Sequence, residues 1–220
     1  ALKDVREHAL YQIHFGADYT TGDYGWTTDE NAIRRSVEWQ LKSLSTDYID
    51  YGFIHCLDEE SDWNDYKHKG ALKALLEMKE QGVVRHLGLS SHTPSMVQTV
   101  LKEVPLDMLM FSINPAYDFQ MGKHGKGSAD ERNALYRRCA AEGIGISVMK
   151  PFAGGQLLDA SLSPFGRALT NYQCMQYVLD RPGVLTVLPG AASMAQLEDI
   201  LGFLDAADRE KDYSVIGSFQ

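Results

Sequence analysis

Six short runs rich in β-branched and aromatic residues punctuate the chain, beginning near Tyr11, Tyr48, Val84, Leu106, Ile144 and Val184. A stretch of helical periodicity follows each, so the recurring unit is a strand and then a helix. Thr27 and Glu30 have the spacing of a capping box, and Ile33, Val37, Leu41 and Leu44 fall on one helical face behind them. Thr93-Pro94 predicts an N-cap with proline at the first helical position, ahead of an inward stripe of Val97, Val100 and Leu101. Ser193 opens a further predicted helix carrying Leu197, Ile200, Leu201 and Leu204. The runs from Tyr48 to Ile54 and from Met108 to Ile113 are almost continuously apolar, the pattern of parallel strands covered by helices. An all-parallel α/β architecture follows.

A doubly wound sheet and a (β/α)8 barrel both satisfy this pattern. The glycine-rich turn between first strand and helix that marks a dinucleotide-binding sheet is missing, so the barrel is the expected fold. Polar or glycine-rich residues stand directly after the strands: His55, Ser90-Ser91-His92, Asn114-Pro115, Lys150 to Gly155, and Pro189-Gly190. Chemistry in such barrels sits at the C-terminal ends of the strands. About six of the eight strand-helix units are present, an incomplete barrel whose two open edges would expose unpaired backbone groups and invite self-association.

Composition narrows the function. The 220 residues are 44% hydrophobic, 23% charged and 10% aromatic, enough for one sizeable core and a single domain over residues 1–220. The formal net charge is −9, with no Lys or Arg run against it, which argues against nucleic acid or an anionic membrane and for a small-molecule substrate. Cys56, Cys139 and Cys174 are far apart in apolar stretches and read as reduced thiols. No apolar stretch reaches the ~20 residues of a membrane span, and Ala1-Leu2-Lys3-Asp4 is no signal peptide, so a cytoplasmic location is expected. The acidic runs Asp58 to Asp62 and Asp205 to Asp212 read as solvated surface, and Lys123 to Gly127 as a short mobile loop. Met108, Met110 and Met121 read as core or pocket lining. No His, Cys and carboxylate set has metal-ligand spacing, and no metal is assigned.

Four segments, Tyr48 to His55, Arg85 to His92, Val148 to Gly155 and Val187 to Gly190, together resemble the aldo/keto reductase superfamily over nearly the whole chain. Ser112 to Asp118 and Leu162 to Gly166 are similar to a branch from anaerobic bacteria and archaea. Members of that branch often carry a C-terminal ferredoxin-like extension with iron–sulfur cysteines, so a cluster is implied only there and not in this chain. The family's first two strands, with a catalytic aspartate and the tyrosine that protonates the carbonyl, have no counterpart upstream of Ala1. Ala1 to Glu7 look like the end of the second helix. The resemblance therefore implies a fragment, inactive alone, of an NADP- or NAD-dependent oxidoreductase acting on aldehydes, ketones or alcohols.

The resemblance also implies site residues. His55 matches the histidine that orients and polarises the carbonyl; by itself, a histidine after an apolar strand is more often the mark of a hydrogen-bonded core residue. His14 stands where most of the family has a lysine that lowers the tyrosine's pKa. A protonated imidazole there could stabilise a phenolate and would titrate near neutrality, while the bland reading is a barrel-lining histidine. Ser90 matches, and Ser91 departs from, a serine-asparagine pair that holds the nicotinamide carboxamide; serines after a strand are also ordinary turn residues. Met110 replaces a glutamine that contacts the same amide, and Asn114 is similar to a family asparagine with a structural reading beside it. Met149, Lys150, Pro151, Phe152 and Gly154 belong to the loop around the cofactor pyrophosphate, where glycine lets backbone amides approach an anion. Gly190 and Ala191, with Gln196 and Asp199 on the following helix, complete the implied cofactor set, and the helix start is an anion site. The family's cations for a 2′-phosphate fall on Gly190 and Gln196, which carry no charge. A non-catalytic nicotinamide sensor or interaction protein on the same barrel, and an unrelated phosphate-binding barrel enzyme, are the alternatives.

Overall fold

All six apolar runs form strands in the computed structural model, which describes residues 3–219. They are β1 (Gln12–Phe15), β4 (Ile49–Ile54), β5 (Val84–Ser91), β6 (Met108–Ser112), β7 (Gly145–Met149) and β8 (Val184–Leu188). Their order in the sheet repeats their order in sequence. With helices after every strand, this is the α/β architecture of an incomplete (β/α)8 barrel. Ala1 and Leu2, on which the helix-end and leader readings partly rest, lie outside the described residues. Lys3–His8 is a 3-10 segment broken at Val5 rather than the end of an α-helix. Packing divides the chain into two units, Ala1–Leu109 and Met110–Gln220.

In the first unit, β1 pairs with β4 and β4 with β5, all parallel, with Phe15 opposite Ile54 and Ile54 opposite Leu89. Phe15, Ile49, Phe53, Ile54 and Leu89 are fully buried there. Gly88 admits the Phe53 ring, since a Cβ on that glycine would stand 2.7 Å from it. A two-stranded antiparallel ribbon of β2 (Ala17–Asp18) and β3 (Gly25–Trp26) interrupts the path from β1 to α1 (Glu30–Leu44). Asp29, and not Thr27, caps α1: its Oδ1 accepts the Ala32 amide at 2.8 Å, while the Thr27 hydroxyl accepts the Asp29 amide. Ile33 and Val37 are buried as expected, but Leu44 is exposed because the helix ends beside it at Ser45, in the left-handed region. Helices α2 (Glu60–His68), α3 (Ala71–Glu80) and α4 (Pro94–Val100) complete the unit, and Tyr66 of α2 donates to the Phe15 carbonyl at 2.9 Å.

The second unit carries α5 (Pro115–Asp118), α6 (Ala129–Glu142), α7 (Asn171–Leu179), α8 (Met194–Leu201) and α9 (Asp208–Lys211). Reciprocal capping boxes start α6 at Ser128 and α7 at Thr170, and Ser193 caps α8 as predicted. Asn114 is the N-cap of α5 and donates to the Lys150 carbonyl at 3.0 Å, so its role here is structural. The Lys123–Gly127 segment is anchored by its carbonyls: Lys126 O accepts from Arg132 and Gly127 O from Gln120. The apolar stripe of α8 is not covered, for Leu201 is 53% and nearby Leu204 76% exposed. β8 is the last strand in the order, and Leu185 on it is exposed too. Among the described residues no helix is long and apolar enough to cross a membrane.

Candidate active site

His14 lies on β1 opposite Phe53 of β4, and His55 follows β4 two residues after Phe53. Side chains two apart on a strand share a face, so the parallel register brings the two imidazoles together. Their Nδ1 atoms are 2.9 Å apart and their rings meet edge to face at 4.8 Å. The other His55 nitrogen, Nε2, is 2.8 Å from the hydroxyl of Tyr24 in the β2–β3 turn, and the Trp26 indole donates to the His55 carbonyl. Gly16 permits this closeness: it sits at φ +128, and a Cβ there would be 3.0 Å from the His55 Cβ. Tyr24 was not among the predicted residues. Its ribbon is built from two-residue strands, too short to leave an alternating pattern.

Burial, reinforced by the neighbouring His55, pushes the His14 imidazole down to about 4, and burial alone does the same to His55. The expectation that His14 titrates near neutrality is therefore corrected. Both rings are neutral at pH 7 because charge in this half-buried site would lose its hydration. A hydrogen bond between two neutral imidazoles requires one donor and one acceptor. When His14 donates, His55 carries its proton on Nε2 and can offer it to an oxygen; when His55 donates, its Nε2 can only accept, here from Tyr24.

At the end of β5, Ser90 and Ser91 are buried. Ser91 Oγ faces Asp58 Oδ1 at 3.3 Å and accepts the Thr93 amide. Asp58 also accepts from the His92 amide at 2.6 Å, from the Thr93 hydroxyl and, through Oδ2, from His92 Nδ1 at 2.9 Å. The acidic run is thus not uniformly solvated: Asp58 is half-buried because it supplies the acceptors that fold the segment after β5, and Glu59 and Asp62 cap α2.

In the second unit, eight predicted cofactor positions line one cleft of about 660 Å³: Lys150, Pro151, Phe152, Gly154, Gly190, Ala191, Gln196 and Asp199. Gly155, Leu158 and Asn171 lie on it as well. Lys150, Ala153, Gly154 and Gly155 all have positive φ, so the chain after β7 turns tightly. Apart from their own chain neighbours and local helical backbone, no atom of the described residues lies within 4 Å of where a Cβ would sit on Gly154, Gly155 or Gly190. That space allows an anionic group to approach the backbone, as a pyrophosphate would require. Gln196 Oε1 accepts the Ala192 amide at 2.6 Å, and Asp199 accepts from Asn171 at 2.7 Å, so the α8 side of the cleft is internally held. Met149 and Met110 do not line this cleft; Met149 is half-buried at the end of β7, and Met110 is core.

A family model described as the aldo/keto reductase family matches residues 18–167. An uncharacterized oxidoreductase of Bacillus subtilis (strain 168), YqkF, is 23% identical over 224 residues, covering 90% of this chain and 69% of that protein. Pyridoxine 4-dehydrogenase of Escherichia coli (strain K12) is 26% identical over 195 residues, covering 81% and 64%. The solved aldo-keto reductase AKR11C1 from Bacillus halodurans, in its holo form, superposes with a TM-score of 0.74 at 21% identity, over 99% of this chain and 75% of that one, a likeness of fold. Between 51% and 69% of the length of the first three curated relatives is spanned. With more than half of its residues inside the family match, the chain belongs to the aldo/keto reductase family.

Proposed function

We propose that the protein carries out nicotinamide-dependent reduction of an aldehyde or ketone, or the reverse oxidation of an alcohol. The observation that carries this reading is the gathering of eight expected cofactor positions around one cleft with glycine backbone open to it. A bound reduced nicotinamide supplies the hydride. Lys150 and the positive end of the α8 dipole attract the pyrophosphate, the first as a point charge and the second through its aligned peptide units. His55 Nε2–H donates to the carbonyl oxygen and draws charge from the carbon. His14 acts through His55, by donating to its Nδ1 and so keeping the proton on Nε2. Tyr24 covers that nitrogen and must yield it when a carbonyl binds. Ser90 and Ser91 are retained as carboxamide contacts within this proposal, and the iron–sulfur branch as its subdivision.

NADH is favoured over NADPH. Gly190 and Gln196 offer no cation to a 2′-phosphate, and Asp199 on the same cleft repels one. Titration of the chain with each cofactor, followed by nicotinamide fluorescence, tests the reading: saturable NADH binding is expected, and no binding of either form overturns it. Lys150→Ala should weaken binding about fivefold, the loss of roughly 1 kcal/mol from one charged contact. The proposal extends to self-association through β1 and β8, the strands at the ends of the sheet order; a monodisperse monomer by light scattering overturns that part.

A further inference from the structure

Cys56 and Asp58 lie on the segment leaving β4, and His92 on the segment leaving β5. Each presents a ligand atom, and the three atoms lie within 4.8 Å of one another. No spacing motif in the sequence announces this, because 34 residues separate Asp58 from His92. We propose that Cys56, Asp58 and His92 form a three-ligand site for a divalent transition ion of the zinc class, with the fourth position open to water or an added ligand.

The donor chemistry selects the ion. One thiolate, one imidazole and one carboxylate suit Zn²⁺ or Co²⁺, whereas Mg²⁺ and Ca²⁺ require six or more oxygens. Bonds of about 2.0 Å to nitrogen and oxygen and about 2.3 Å to sulfur place tetrahedral donors roughly 3.3–3.6 Å apart. Asp58 Oδ2 and His92 Nδ1 stand at 2.9 Å, so this pair opens by a few tenths of an ångström while the thiolate closes by about 1.3 Å at most. Asp58 is already aimed for the task. Its Oδ1 takes the His92 amide and the Ser91 and Thr93 hydroxyls, leaving Oδ2 directed at the imidazole, as outer partners orient a ligating carboxylate.

Binding through Nδ1 leaves the His92 proton on Nε2 and releases the Cys56 thiol proton to solvent, so affinity rises with pH. The remaining thiols do not compete. Cys139 and Cys174 are buried, which pushes them up to about 11 and about 12 and keeps them protonated. The simpler arrangement is a plain Asp58–His92 clamp beside an idle thiol, and experiment separates the two.

Titration of the reduced chain with Co²⁺ should give one equivalent of a tetrahedral ligand-field spectrum with a thiolate-to-cobalt charge-transfer band. Cys56→Ser should abolish that band. Asp58→Asn and His92→Gln should each weaken affinity by about 10- to 100-fold. A missing charge-transfer band, or one that survives Cys56→Ser, overturns the proposal. A second measurement needs no variant: Zn²⁺ should slow alkylation of Cys56 in the intact chain at least about tenfold, with recovery on chelation, because a bound thiolate is a poor nucleophile. An alkylation rate indifferent to Zn²⁺ overturns the site equally.

Discussion

Two polar clusters, one in each unit, are built on opposite principles. In the second unit, Asp118 accepts from Arg132 Nε at 2.7 Å, from the Tyr136 hydroxyl at 2.8 Å and from the Tyr177 hydroxyl at 3.0 Å. Arg132 also donates to the Ser112 carbonyl at 2.6 Å and stacks against Phe111. Every proton in that set has one place to be, and burial with the Asp118 charge pushes both phenols upward. In the first unit, His14, His55 and Tyr24 share their protons in two interchangeable ways, with no charge present at neutral pH. The first arrangement specifies a fold, and the second leaves a proton available for chemistry. Polar burial by itself therefore does not identify a site, because a network with every proton fixed is buried as well.

The contrast can be broken most forcefully at Asp118. Asp118→Ala leaves the Arg132 charge buried without its partner and should cost about 3–5 kcal/mol in urea unfolding, whereas a loss below about 1 kcal/mol would mean the network is not structural. Next in size is the acid response of the histidine pair. Folding lowers both from 6.5 to about 4, so the unfolded chain binds more protons between these values. Their contribution is whole above pH 6.5 and is lost as pH falls toward 4. Unfolding midpoints across that range should fall on acidification, and the ring resonances of His14 and His55 should stay flat from pH 8 to 5; titration near 6.5 would remove the distinction. Tyr24→Phe should cost less than about 1 kcal/mol, since the phenol is exposed, yet shift the nitrogen resonances of His55 toward one tautomer. Unchanged nitrogen shifts would show that Tyr24 does not govern the proton. Smallest is Ser112→Ala. Ser112 Oγ is the buried side-chain polar atom without a hydrogen-bond partner among the described residues, so its removal should be neutral or stabilising by up to about 1 kcal/mol in the same unfolding assay.

Much of the scaffold was legible in the chain. The six strands, the Thr93-Pro94 helix start and the Ser193 cap all lie where periodicity puts them. The lining of the second unit's cleft was legible too, because Lys150 to Gly155 and Gly190-Ala191 are contiguous in sequence. Asp29 displaced Thr27 as a cap because both are competent residues two apart, and only the turn after β3 decides which faces Ala32. The exposure of the α8 stripe was not legible, because amphipathicity says which face prefers burial, not whether anything covers it.

The order of strands and helices, the positions of the strand-end residues and the family they imply were determined by the sequence itself, since each depends on neighbours within a few residues. The protonation of His14 and His55, the arrival of Tyr24 and the meeting of Cys56, Asp58 and His92 were decided only by tertiary structure. Desolvation and proximity depend on which distant segments share a strand end, and parallel pairing of strands, with the helices packed between them, creates those neighbours.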